Sequence, residues 1–340
     1  MQQISDLGEF PLIDAIAQIV AVERPDVVVG IGDDVAVLAD GENELILATV
    51  DSQVEDVHFL RHLITPRQLG RRALAINLSD IAAMGGRAQH ALVSLALPST
   101  TDVAWVKELY RGLREEGDRF QTAVVGGNMA RSPERAFIDV CVLGRVHRRH
   151  LLLRSGARPG DRVLVTGSLG DAAAGLTVAL EPGLSLSASQ RQFLLARYLT
   201  PTPRLSEAAV IAPSGAATAM IDVSDGLSSD VAHICDRSQV GVRLWAGRLP
   251  ISPAARRVAE LTDRPAWRLP LGASDDYELC FTASPGEADA VIAAVQEETG
   301  TPVTAIGHVL PAQEGRWLAL EDGQEVPLEA SGWQHFRQEE

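Results

Sequence analysis

Runs of valine, isoleucine and leucine alternate with helical patterns along this chain, and the most apolar runs end in aspartate. Asp33 and Asp34 follow VVVGIG, Asp51 follows LILATV, Asp80 closes AINLSD, and Asp222 and Asp225 stand in AMIDVSDG. A buried apolar strand sets its end in the interior, where an ionised carboxylate is costly unless a positive charge compensates it. The nearby sequence supplies little: Lys107 is the only lysine, and none of these four segments holds an arginine. Metal ions are the simplest compensation. An all-oxygen donor set with no His/Cys spacing favours Mg²⁺ over zinc or copper.

The alternation extends over the whole chain and defines its class. VVVGIG, LILATV, HALVSLALP, TAVVGG and AFIDVCVLG read as strands in the first half. Thr65-Pro66 opens a helix that Gly85-Gly86 closes, and a second amphipathic helix runs from about Asp102 to Arg119. A basic stretch, RVHRRHLLLRSGARPGD, ends in turn chemistry and separates the halves. Beyond it, RVLVTG, ATAMID, VGVRLW, YELCFTA and TPVTAIGHV read as strands. DAAAGLTVAL, the segment from Ser187 to Ala212, DGLSSDVAHICDRS and GEADAVIAAVQEET read as helices. The expectation is an α+β chain of mixed α/β layers in two domains, residues 1–148 and 149–340, as its 340 residues would suggest.

Composition narrows the chemistry. A net charge of −15 argues against nucleic acid or an anionic membrane as the main partner. No apolar run approaches membrane-spanning length, and the acidic start MQQISDLGEFPLIDAI is unlike a signal peptide, so the expected location is the cytoplasm. Cys141, Cys235 and Cys280 are far apart and in no CxxC pair, which fits reduced cysteines. Lys107 lies in AWVKELYRGL, outside any P-loop, kinase strand or Schiff-base context, which excludes those three classes. The Gly30-x-Gly32 pair lacks a third glycine, and acids follow where a pyrophosphate would sit.

Each acidic motif has a plainer explanation when taken alone. Asp225-Gly226 could cap a helix, Asp33-Asp34 could turn after a strand, and the Arg/His run from His147 through Arg154 could be a solvated face. Four such tips together favour convergence. Asn77 and Asp80 stand three residues apart, so a helix would project both toward a shared ion. Ser224 and Asp225 would lie at the N-cap of the following helix, whose N–H groups suit an anion. Converging carboxylates would hold two or more Mg²⁺ ions against a triphosphate.

GIGDDVAVL, TVDSQVEDVHF, ALAINLSDIAAMGG, GGNMARS, RSGARPGDRVLVTGSLGDAAAGL, MIDVSDGLSSD and DDYELCF resemble, in order and spacing, the motifs of bacterial thiamine-monophosphate kinases. That family belongs to the aminoimidazole ribonucleotide synthetase-like superfamily, which uses ATP without a P-loop. The resemblance implies a two-domain fold with a C-terminal α/β sandwich, a homodimer formed through the N-terminal sheet, and phosphoryl transfer from ATP to thiamine monophosphate. It further implies Mg²⁺ ligands at Asp34, Thr49, Asp51, Asp80, Asn128, Asp222 and Asp225, with Val50 offering a backbone carbonyl. Tyr110, Gly127, Asn128, Arg154 and Ser224 would bind ATP. His58, Asp275 and Trp333 would face thiamine monophosphate. Since a phosphate nucleophile is already ionised at neutral pH, no general base is expected.

Three departures stand out. Asn128 occupies a usual Asp position, with Met129-Ala130 in place of hydroxyl residues; Asp275 stands where Glu is usual; Ser274 replaces glycine. Two other readings therefore stay open. One is another ATP-dependent enzyme of the superfamily, of hydrogenase-maturation or selenophosphate type, which would want a reactive terminal cysteine that this sequence lacks. The other is a nucleotide-binding regulatory paralogue without turnover.

Overall fold

The computed structural model describes residues 3–20, 24–333 and 335–336. Before the first sheet come a short turn of helix, α1 (Ile4–Leu7), and α2 (Glu9–Val20). The first sheet then uses β1 (Val27–Val29), β2 (Ala36–Asp40), β3 (Glu44–Val54), β4 (Arg87–Leu97), β5 (Ala123–Arg131) and β6 (Phe137–His147), in the order β1-β2-β3-β6-β4-β5. All pairs are antiparallel except β4 with β5, and β3 pairs β6 from Glu44↔His147 to Val54↔Phe137. Period-two alternation sends Leu45, Leu47, Val93, Leu95, Ile138, Val140 and Val142 to one buried face. Two helices cover that face: α3 (Pro66–Ala83) and α4 (Val103–Arg119).

Local chemistry fixes both helices. Thr65 and Gln68 form a reciprocal capping box ahead of Pro66, and the Asp102 carboxylate accepts from the Ala104 N–H. α3 is buried almost all round because it also meets the second unit, so its Asn77, Ser79 and Arg72 are interior polar groups. Gly70 of α3 sits where a Cβ would lie 2.0 Å from the Leu109 carbonyl, and Gly112 of α4 where one would lie 1.9 Å from the Arg67 carbonyl. The two backbones therefore touch at glycine.

The second unit builds on a seven-stranded sheet in the order β13-β12-β9-β11-β7-β10-β8. Its strands are β7 (Arg162–Thr166), β8 (Ala217–Val223), β9 (Val240–Trp245), β10 (Glu278–Ala283), β11 (Val303–Pro311), β12 (Arg316–Ala319) and β13 (Glu325–Pro327). Helices α5 (Asp171–Leu180), α6 (Ala188–Leu199), α7 (Leu205–Ser214), α8 (Leu227–Ser238), α9 (Pro253–Leu261), α10 (Arg268–Leu271) and α11 (Pro285–Thr299) pack around it. Buried side chains fall on both faces of this sheet: one cluster joins Val163, Val165 and Ile221 to α8 and α9, the other joins Leu164, Met220 and Phe281 to α7, α11 and the end of α3. This is the expected mixed α/β layering. Among the described residues no helix is long and apolar enough to cross a membrane.

Several elements went unread in the sequence: α1, α2, β2, α9, α10, β12 and β13. β2 is only Ala-Val-Leu-Ala-Asp, too short to separate from the turn before it. The Ser224-Asp225 position also differs from expectation. The N-cap of α8 is Gly226, at φ 116°, and a Cβ there would lie 1.9 Å from the Gly272 carbonyl. The side chain that reaches back to this cap is Asp230, whose carboxylate accepts from the Gly226 N–H.

Candidate functional site

Asp34, Asp80 and Asp222 each place a carboxylate oxygen within 4.8 Å of the others. They arrive from three places: the loop before β2, the last turn of α3, and the end of β8. Neighbouring residues lock them together. Ser79 donates its hydroxyl to Asp222 Oδ2 at 2.6 Å, tying α3 to β8 across the two units. Thr49 on β3 donates to Asp80 Oδ2 at 2.6 Å. Asn77 does not turn toward an ion with Asp80, as its spacing suggested. Its Oδ1 accepts from the Asp51 N–H at 3.0 Å and its amide nitrogen donates to the Ala73 carbonyl, so it serves to fix β3 against α3.

Repulsion and burial dominate the electrostatics. Burial, with the charge of Asp34 as the next contribution, raises Asp222 to about 8 and Asp51 to about 6. Burial, followed by Asp51 and Asp222, raises Asp80 well above the ordinary carboxylate range. Asp225 rises to about 7 through burial and then Glu9. The expectation that no arginine compensates these groups is corrected at one point. Arg154 Nε donates to Asp34 Oδ1 at 3.1 Å, while the Asp33 carboxylate accepts from the Asp34 N–H at 3.0 Å and the Arg154 N–H at 3.3 Å. Arg154 thus belongs to the site and not to a solvated face. Among the described residues, Asp34 Oδ2 is buried without a hydrogen-bond partner. An orphaned carboxylate oxygen on a residue clustered with two further carboxylates fits a hard divalent cation, and these residues would hold Mg²⁺.

Thr49, Val50, Arg154 and Asp225 line a cavity of about 940 Å³ together with Asp34, and Glu9 and Phe10 of α2 form one wall. A second cavity, about 380 Å³, brings together His58, Asp275, Trp333 and Ser224. Consecutive residues Ser224 and Asp225 divide the two. His58 Nδ1 accepts from the Val54 N–H at 3.0 Å, so the neutral ring carries its proton on Nε2, 3.3 Å from His335 Nε2. Burial lowers the His58 pKa to about 4 and keeps it neutral. The Trp333 backbone N–H donates to the Asp225 carbonyl at 2.9 Å, which ties the chain at Trp333 to the acidic turn.

Sequence reasoning missed the groups that hold Asp275. Arg72 Nη2 donates to Asp275 Oδ2 at 2.6 Å. Asp276 accepts from the Ala172 N–H at 3.0 Å and the Ser274 hydroxyl at 2.6 Å, and Glu278 accepts from Arg197, Arg204 and Thr166. Tyr277 between them holds φ 53°. A signal for Arg72 existed: it shares the helical spacing of Leu69 and Ile76, which places it on a buried face.

Three expected ATP contacts lie apart within one copy. Asn128 on β5 is in register with Ser94, Asp139 and Ser52, so it sits three strands, roughly 14 Å, from β3. Gly127 lies beside it, and Tyr110 lines a separate cavity with Arg114, Asp118 and Val124.

Comparison with known proteins gives the context of this geometry. Residues 32–146 match the AIR synthase related protein, N-terminal domain, and residues 158–317 match its C-terminal domain. The thiamine-monophosphate kinase of Escherichia coli (strain K12) is 36% identical over 329 residues, covering 97% of this chain and 98% of that protein. That of Bacillus subtilis (strain 168) is 33% identical, covering 97% and 100%. A solved complex described as AaThiL complexed with AMPPCP and TMP superposes with a TM-score of 0.84 at 33% identity, covering 98% of this chain and 99% of that one. A chain of a solved HypE-HypF complex, at 16% identity and a TM-score of 0.76, shares the fold alone. The chain belongs to the AIR synthase related proteins and, within them, to the thiamine-monophosphate kinase family.

Proposed function

We propose that this protein transfers the γ-phosphate of ATP to thiamine monophosphate, giving thiamine diphosphate and ADP. The observation that carries this reading is the convergence of Asp34, Asp80 and Asp222 at one side of the Ser224-Asp225 turn, with a second, carboxylate-bearing cavity at the other. Bound Mg²⁺ would supply the charge neutralisation that lets two phosphate anions approach. Asp34, Asp80 and Asp222 would hold it, with Thr49, Asp51 and Asp225 adjacent. Arg154 holds Asp34 in place and adds a positive charge to the wall of the larger cavity. In the smaller cavity, His58 forms part of the wall, with its Nε2 paired to His335, while Asp275 offers an anion and Trp333 an aromatic face for a cationic heteroaromatic ring. An oxygen of the acceptor phosphate forms the new bond to the γ-phosphorus as the bond to the bridging oxygen of ADP breaks. No proton has to leave the acceptor first.

The protein is further proposed to act as a homodimer. The uncovered face of the first sheet exposes Val50, Leu92, Leu143 and Phe137, an apolar patch of the kind that marks an interface. A second copy laid across it would bring its own β5, with Gly127 and Asn128, toward this copy's β3. A monomer by light scattering would refute this arrangement, and Leu92→Asp is expected to yield monomers with reduced ATP affinity.

The central test is direct. Purified protein with ATP, Mg²⁺ and thiamine monophosphate should form thiamine diphosphate and ADP in equal amounts. Failure to form thiamine diphosphate refutes the reading, and ATP binding without turnover would instead identify a regulatory paralogue.

A further inference from the structure

Arg72 is 3% exposed, an unusual place for a guanidinium, and it connects four segments of the chain. Its Nε donates to Gln53 Oε1 on β3 at 3.2 Å, its Nη1 to the Tyr198 carbonyl in α6, and its Nη2 to Asp275 Oδ2 at 2.6 Å. The guanidinium also lies 5.2 Å from the centre of the Tyr198 ring. Arg72, Gln53, Tyr198 and Asp275 all line the smaller cavity. Three of its five N–H groups, one on each nitrogen, are already committed to oxygens of the protein. With its side chain only 4% exposed, Arg72 offers little surface of its own to a substrate.

Its partner is the group with freedom to act. The Asp275 side chain is 38% exposed, against 4% for Arg72, and Arg72 engages only its Oδ2. A buried ion pair adds little net stability because desolvation offsets the attraction, yet loss of one partner leaves a misplaced charge. The planar fork also fixes direction, which an ammonium on a flexible stem does not. Just after Asp275, Asp276 is held by the start of α5 and Glu278 by two arginines.

We propose that Arg72 is a positioning and specificity-determining residue for the substrate pocket: it aims the Asp275 carboxylate at the cationic ring of thiamine monophosphate. This rests on the function proposed above and deepens it. The pocket then selects for ring charge through a carboxylate of fixed direction, and the discrimination depends on a side chain that touches no substrate.

The test compares wild type with Arg72→Lys and Arg72→Met, using two acceptors: thiamine monophosphate, and an analogue in which a neutral thiophene replaces the thiazolium. Arg72→Lys keeps the charge and loses the fork, so KM for thiamine monophosphate should rise about tenfold while KM for ATP stays within twofold. The wild-type preference for the cationic acceptor over the neutral one should shrink by about the same factor. Arg72→Met should show a larger rise; should it fail to fold, as judged by circular dichroism and a melting curve, Arg72→Lys alone decides. A KM for thiamine monophosphate unchanged in the folded variants, or an equal rise in KM for ATP, would overturn the proposal. So would an unchanged preference between the two acceptors. A wild-type protein inactive on thiamine monophosphate would sink the underlying reading instead, a result distinct from an active wild type with an insensitive Arg72.

Discussion

Asp80 and Asp222 carry opposite demands of folding and function. Each is buried beside other carboxylates, which raises its pKa, so the site without metal is a place of stored repulsion. Removing one charge should relieve it. Asp80→Asn or Asp222→Asn is expected to melt at or above the wild-type temperature in EDTA, yet to lose the stabilisation that Mg²⁺ gives the wild type. Turnover should fall by on the order of 10³-fold, since metal charge stabilisation is worth several kcal/mol in such reactions. A folded, active variant would exclude these residues as ligands. Arg154 makes the converse case. Arg154→Met leaves Asp34 buried beside the other acids with no cation, a change that costs about 3 kcal/mol where one partner of a buried pair is lost. Urea unfolding should show that loss in EDTA and a smaller one in saturating Mg²⁺, because the ion then compensates the orphaned carboxylate.

The site depends on α3 more than on any other element, because this helix carries Arg72, Asn77, Ser79 and Asp80 along its buried length. Its position is set by the Gly70 and Gly112 contacts with α4. Gly112→Ala should gain up to about 1 kcal/mol of helix propensity but lose 1–3 kcal/mol through overpacking against the Arg67 carbonyl, for a net loss of about 1 kcal/mol. Movement of α3 should also weaken Mg²⁺ binding, although the substitution lies far from the carboxylates. A urea midpoint at or above wild type would refute the packing argument. Elements such as α3 were legible because capping, proline and glycine signals are local. The strands Val27–Val29, Glu44–Val54 and Ala217–Val223 could be read from their branched apolar runs, and the aspartates at their ends from the cost of burying charge. What sequence could not supply is which strand lies beside which. Local pattern alone therefore leaves Arg154 readable as part of a solvated basic run, where folding sets it against Asp34, and it gives no sign that Asn128, on β5 at the edge of the sheet, stands three strands from β3.

At the scale of the molecule, the acidic cluster couples stability to pH in a direction opposite to that of a salt-bridged protein. Asp51 rises to about 6, Asp225 to about 7 and Asp222 to about 8, all above the usual value of about 4 for an unfolded aspartate. A folded state that holds protons the unfolded chain has released loses stability as pH rises, because the unfolded state then binds fewer protons. The metal-free protein should therefore be at its steadiest with respect to these groups near pH 4, and should lose that contribution progressively between about pH 4 and 8. Magnesium reverses the trend, since its ligands must be deprotonated and binding displaces their protons. The rise in melting temperature caused by a fixed Mg²⁺ concentration should be small at pH 6 and grow through pH 8. Asp222→Asn should flatten that growth by removing one titrating ligand. Differential scanning calorimetry at pH 6, 7 and 8, with Mg²⁺ or EDTA, measures both slopes. A Mg²⁺-induced shift independent of pH over this range would mean that the ion does not bind these carboxylates, and the assignment of the cluster as the metal site would fall with it.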